Sequence, residues 1–422
     1  MKATDINAAL NAPLSYLDGN PKKPRKLNKW EYRNLPAYRL LTSSLPVGED
    51  ENSLSERKAH RRFFIKSMGI TILSSILCIA FGLLLGFLLM LMDPSHIGTG
   101  IQSFFSYGIN NLPRVIYTAG PLLLCALSVG FCYKCGLFNI GAPGQYMIAG
   151  MVSIICALNL HLPWFVSILI AMASGALVGS IPGLLKAYFN INEVITSIMV
   201  NWIVLFVNNV LLNNVPGVLN EKNPTKSLAL STVGDPLVML PSFTSDKYIN
   251  LTIVIGIVLA VVLFFVVFKT TFGYRLRAVG FNRDAARYAG ISSKRNIILS
   301  FVVGGLLAGL GGACFYLLGN AQYTYNISSV DQMGFDAIPI ALLANNNPIG
   351  ILFTTFFISF IKVSGIGLQG VGTYNDKFAE IMIALILYGS AFAVLINTVF
   401  LKGGRTLKKG KKEKEGKENG NA

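Results

Sequence analysis

Cys132 and Cys135, three residues apart, form the first spacing in the chain that chemistry could use, as a metal or redox pair. A metal site would need a second pair or nearby imidazoles, and His60, His96 and His161 are scattered. All six cysteines lie in or beside apolar runs, so they read as structural rather than as a secreted disulfide framework. Acids are few. Glu193 opens an apolar run, where a carboxylate suits a helix N-terminus. Asp331 and Asp336 flank a short apolar segment, and Glu380 stands near the start of the last run. No acid is expected deep in a run with a basic partner, which argues against the interior titratable group of a proton-coupled carrier. Gly365, Gly367 and Gly370 have dinucleotide spacing but end an apolar run and follow no strand. Residues 367–373 imitate a phosphate loop with Thr373 where the lysine must stand. No catalytic set, metal set or nucleotide cradle is therefore expected in this chain. What remains is a group of amides in apolar surroundings, Asn139, Gln145 and Asn201. Each must face protein or a water-filled lumen, as a link between helices or as a contact for a polar solute.

The elements carrying these residues follow from composition. The chain has 422 residues, 53% hydrophobic and only 13% charged. A soluble domain is about 25% charged. Runs of about 20 apolar residues in series mean an all-α polytopic membrane protein. Ten spans are expected: 68–92, 112–133, 138–160, 163–185, 194–212, 250–268, 296–318, 334–344, 349–368 and 378–401. Residues 93–111 read as a short outer loop and 213–249 as a long one. The eighth span is short and ends at Asn345, Asn346, Asn347 and Pro348. The third opens through Gly136 and Pro143. Interrupted helices are tolerated only where protein or a cavity surrounds them, and a matched pair points to a transport pathway. The two would sit in corresponding places of an inverted repeat, spans 2–5 and 7–10. Small residues at four-residue spacing, Gly175, Gly179 and Gly183, then Gly305 and Gly309, signal close helix approach within the chain or to a second one.

The formal charge of +16 is confined to three segments. Residues 1–66, a proline-interrupted extension read as disordered, hold 13 basic and 7 acidic residues. The tail 402–422, also read as disordered, holds 8 basic and 3 acidic. Residues 269–295 hold seven basic residues and one acid, Asp284. Basic segments lie on the cytoplasmic side, so both termini and this loop are expected inside, around a membrane domain at 67–401. The charge is then inner-leaflet anchoring rather than nucleic-acid binding. No cleavable leader is expected, since the first apolar run begins near Ile70 behind a long polar stretch.

Within the loop, residues 282–288 read as a short helix with Asn282 as N-cap and Gly290 as stop. The sequence GYRLRAVGFNRDAARYAGI at 273–291 resembles the cytoplasmic loop of permease subunits of ATP-binding-cassette importers, in the ribose and nucleoside branch. Residues 136–145 (GLFNIGAPGQ), 192–201 (NEVITSIMVN) and 333–351 (MGFDAIPIALLANNNPIGI) resemble the same family, over roughly residues 70–400. The resemblance implies that the loop is a coupling helix seated in a cleft of the ATPase, carried here by Arg277, Gly280, Asn282, Arg283, Ala285, Ala286, Arg287 and Gly290. It implies a translocation pathway to which Asn139, Gln145, Asn201, Phe335 and Asp336 would contribute. It further implies no cofactor in this chain, with ATP and magnesium held by a cytoplasmic two-cassette ATPase. A second permease and an outer solute-binding lipoprotein complete the implied set, in the plasma membrane. The solute would be a nucleoside or a related simple sugar, the nucleoside branch being the nearer match. The chain departs from the family where Pro143 replaces a usual Glu and Ala344 a usual Gly. The competing class is a secondary carrier driven by an ion gradient, which would need no ATPase.

Overall fold

The computed structural model describes residues 79–389, apart from 233, 245, 246, 373, 375, 376 and 387. The N-terminal extension, the start of the first span, Cys78, the end of the last span and the basic tail lie outside the described residues. Those described are mostly helical, with only isolated β-bridges between 219 and 324. In chain order the helices are α1 (Ile79–Leu89), α2 (Ile97–Asn110), α3 (Leu112–Tyr133), α4 (Ala142–Leu158), α5 (Trp164–Phe189) and α6 (Glu193–Asn214). Then follow α7 (Leu251–Lys269), α8 (Thr271–Phe281), α9 (Arg283–Tyr288), α10 (Ser293–Leu317), α11 (Gln332–Leu343) and α12 (Pro348–Ile366). A further helix begins at residue 377. Six of these are long and apolar enough to cross a membrane: α3, α5, α6, α7, α10 and α12.

Polar residues at the edges of the apolar runs act as N-caps. Asn192, Asn250, Thr270, Asn282, Ser292, Asp331 and Asn347 each accept a backbone N–H from the first turn of the helix they open. This is why the run boundaries in sequence lie within a few residues of the helix boundaries.

Two helices form the centre. The most apolar stretches of α3 and α10 are 83% and 72% buried, against 33–44% for α5, α6 and α7. The small-residue rows resolve as one contact inside the chain, between α5 and α10. A Cβ on Gly179 would come within 2.6 Å of the Phe301 carbonyl oxygen, and one on Gly309 within 3.3 Å of the Gly175 Cα. Backbones this close require glycine on both faces.

The interrupted helices are genuine. After Gly136, at φ +72°, the chain turns back into the bundle, and α4 starts only at Ala142. α11 has 12 residues and starts beside it: a Cβ on Gly334 would meet Pro143 Cγ at 2.7 Å, and the Asp331 N–H donates to Met147 Sδ at 3.4 Å. At its far end α11 closes with Asn345 in the left-handed region. The N–H groups of Asn345 and Asn346 bond back to Leu342 and Ala341, and Asn347 caps α12. The amide-rich turn is thus a helix stop and a helix start in three residues. The end of α11 meets the end of α3, where the Lys134 ammonium donates to the Asn345 carbonyl at 3.2 Å. At the other end of the bundle the long segment after α6 is tied to the chain after α10. Leu240 N–H bonds to Leu317 O at 2.9 Å and Ser227 N–H to Tyr323 O at 2.8 Å.

Two expectations are corrected. Residues 97–110, read as loop, are the helix α2. Its Gly100, Phe104 and Gly108 form one buried stripe against Met90, Tyr374 and the end of α12. It was illegible because 14 residues are too few to span and the stripe is built from glycine. The loop after α7 holds two helices rather than one, since α8 precedes the expected short helix.

Candidate functional site

α8 and α9 hang from the end of α7. Thr270 ends one helix and begins the next: its hydroxyl donates to Val266 O at 2.6 Å and accepts from Gly273 N–H at 3.1 Å. α8 seats one face, with Gly273, Leu276 and Val279 buried. Phe272 stacks on Phe131 of α3 at 6.3 Å. Gly280 lies on the corner after α3, with a Cβ placed there only 2.9 Å from both Cys135 C and Gly136 N. α9 is fixed at both ends. Asn282 Oδ1 accepts from Asp284 and Ala285 N–H at 3.0 and 2.9 Å. The N–H groups of Gly290 and Ile291 bond back to Arg287 and Ala286, with Gly290 at φ +75°. Ser293 Oγ then donates to Arg283 O at 3.2 Å, tying α9 to α10.

This geometry divides the loop residues into two groups. Ala286 is 4% exposed and faces the chain's own interior, so it is not on the presented surface. Gly280 and Arg277 also face inward. The Arg277 guanidinium lies 5.2 Å from the Phe268 ring centre, and Lys134 Nζ lies 5.6 Å from the same ring. Burial, reinforced by the Arg277 charge, pushes the Lys134 ammonium down from 10.5 to about 8. Ala285, Arg287, Ala289 and Gly290 are presented outward, with Arg283 half-buried. They are flanked by Tyr288, 94% exposed, and Phe281, 70% exposed. Sequence reading passed over these two aromatics; the signal was a large ring on either side of a short helix in an otherwise charged loop.

The interior amides form a lock. Asn139 Nδ2 donates to Ser128 Oγ at 3.2 Å and to Gln145 Oε1 at 3.0 Å. Gln145 Nε2 donates to Asn139 Oδ1 at 3.2 Å, and that oxygen also accepts from Gly141 N–H at 3.1 Å. Asn201, on α6, accepts from Gly144 N–H and donates to Ile140 O, both at 3.0 Å. All three side chains are buried and hold the non-helical entry to α4, whose backbone groups would otherwise go unpaired. Phe335 and Asp336, on α11, are separate from this cluster and half-buried.

Asp336 carries a correction. Its carboxylate pairs with Lys362 of α12, with each side chain about a quarter exposed. An acid inside the bundle therefore does have a basic partner. Lys362 was legible as the lone charge in the run 349–368, but only the packing of α11 on α12 reveals which acid it meets.

Residues 111–391 match the family model described as branched-chain amino acid transport system / permease component. The chain belongs to this permease family. It is similar to the nucleoside ABC transporter permease NupB of Lactococcus lactis subsp. cremoris, 33% identical over 78% of this chain and 93% of that protein. It is also similar to the guanosine ABC transporter permease NupP of Bacillus subtilis, 31% identical over 80% of this chain and 97% of the relative. A glucose ABC transporter permease of Haloferax volcanii is 29% identical over 65% and 74%. No solved structure matches this chain. As a permease of this family, the chain is a multi-pass plasma-membrane protein whose kind works with a separate ATPase.

Proposed function

We infer that this chain is the membrane-spanning subunit of an ATP-driven importer of nucleosides. The observation that carries the reading is α9: a short helix, capped at both ends, presenting Ala285, Arg287, Tyr288 and Ala289 on the basic side of the bundle. Small residues admit close approach and an exposed tyrosine supplies an anchor of the kind that dominates interfaces. The names of NupB and NupP, aligned over most of both chains, support nucleosides as cargo.

In this reading the chain makes ten crossings, with both termini and α9 in the cytoplasm. α4 and α11 are the half-helices of an inverted repeat whose N-termini meet in the membrane interior. The partners are a two-cassette ATPase holding ATP and magnesium, a second permease and an outer solute-binding lipoprotein. Closure of the cassettes moves α9, and α8 transmits the motion through the Gly280 contact to the corner between α3 and α4. The two permeases then rock between inward-open and outward-open. This chain contributes no nucleotide site; Arg283 and Arg287 orient α9 in its cleft.

The test is affinity purification of the tagged chain in mild detergent, followed by ATPase and radiolabelled nucleoside uptake assays on reconstituted material. Co-purification of a cassette ATPase and ATP-dependent uptake are expected. A chain that purifies alone and moves solute on an ion gradient without ATP would be a secondary carrier, with the Asp336–Lys362 pair as its natural centre.

A further inference from the structure

At the end of the bundle opposite α9 lies a cavity of about 630 Å³. It is open to the surface and is lined by the start of α3, the segment between α6 and α7, and the chain just after α10. Its volume falls in the range of small-molecule sites, about 300–1,000 Å³. Two tyrosines line it, Tyr117 and Tyr248, in edge-to-face contact at 5.8 Å. Arg114 lines it as well, half-buried. Among the described residues its side chain makes one hydrogen bond, from Nη1 to the Tyr107 hydroxyl at 3.4 Å, and no carboxylate pairs with it. Ser231, Asn320 and Gln322 add a hydroxyl and two amides. An aromatic file leads on from the cavity. Tyr117 lies 5.9 Å from Phe315, which lies 6.2 Å from Tyr146 on α4, whose buried hydroxyl has no partner among the described residues.

We propose that this cavity is a nucleoside-binding vestibule, in which Tyr117 and Tyr248 hold the base and Arg114 selects 6-oxopurines. Phenol rings give a flat base a π-face to stack on. The amides and Ser231 suit ribose hydroxyls. A guanidinium fork matches the adjacent O6 and N7 acceptors of guanine, whereas adenine places an amino donor at that edge. A simple sugar would use the amides but not the rings. The inference rests on the nucleoside reading above.

The experiment measures equilibrium binding of radiolabelled guanosine and adenosine to the permease–ATPase complex in phosphatidylcholine nanodiscs. The binding protein is omitted so that its own selectivity does not enter. Wild type is expected to prefer guanosine by about tenfold or more, the discrimination of one bidentate pair. Arg114→Gln abolishes that preference while assembly and basal ATP hydrolysis persist, and Arg114→Lys does not restore it. Tyr248→Leu weakens both nucleosides by about tenfold without changing their ratio. A merely structural effect of Arg114 would lower both nucleosides together and would overturn the assignment. So would an unchanged preference in Arg114→Gln, or loss of guanosine binding on adding phosphatidylglycerol, which would make this a lipid headgroup site. A complex that imports nucleosides yet binds none in this assay removes the vestibule and leaves the importer standing. A complex that imports no nucleoside removes the importer reading itself.

Discussion

Gly280→Ala tests how motion passes between α9 and the membrane helices. The added Cβ would lie 2.9 Å from Cys135 C and from Gly136 N, and closer still to the Lys134 carbonyl. All three are backbone atoms and cannot rotate away. Ordinary contact begins near 3.4 Å, so α8 must withdraw by about half an ångström or more from the α3–α4 corner. Overpacking of this kind costs about 1–3 kcal/mol. Because the Asn282 cap and the bonds at Gly290 make α9 rigid with its neighbours, the displacement reaches the presented face rather than dissipating in the loop. The expected result in proteoliposomes is intact ATP hydrolysis with uptake per ATP reduced several-fold, and a lowered unfolding temperature in detergent. Gly290→Ala is the control. Nothing lies within 4 Å of its Cβ position, so its cost is the left-handed backbone alone, about 1–2 kcal/mol, confined to the end of α9. If Gly280→Ala has wild-type stability and full coupling, α8 is not the transmitting element.

Three further outcomes are expected. Ala285→Trp leaves the isolated chain stable but prevents co-purification of the ATPase, whereas Ala286→Trp lowers the unfolding temperature of the chain itself, because only Ala286 faces inward; equal effects on both measurements would contradict the two faces of α9. Lys134 titrates near 8 in the folded chain against 10.5 when unfolded, so between these values the unfolded state holds the extra proton and stability rises with pH, by at most about 3 kcal/mol; thermal unfolding from pH 7.5 to 10 shows this rise in wild type and less of it in Lys134→Met. Lys362→Met strands the Asp336 carboxylate and destabilises by somewhat less than the 3–5 kcal/mol of a fully buried pair, since each partner is about a quarter exposed; Asp336→Leu in the same chain restores most of the loss, as thermal unfolding would show.

Particular residues show how much was legible. The boundaries of the apolar helices from α3 to α12 were readable to within a few residues because apolar runs and their Asn, Ser and Thr caps are local signals. The Asn282 cap and the Gly290 stop were readable for the same reason. The shorter apolar helices α4 and α11 were marked by Gly136, Pro143 and the Asn345–Asn347 turn. α2 was not, since a glycine stripe on a helix too short to span has no distinct hydropathy.

The sequence by itself determined a polytopic helical bundle, its basic loop and the position of the short capped helix α9, because chain length, hydropathy and capping act between near neighbours. Only the tertiary structure decided which residues meet. Lys362 finds Asp336, Gly280 finds Gly136, the glycines of α5 find those of α10, and Ala286 turns inward while Tyr288 turns out. The cavity around Arg114 likewise joins three segments spread over some two hundred residues. Such contacts depend on how helices pack across long sequence separations, and no local pattern of residues encodes them.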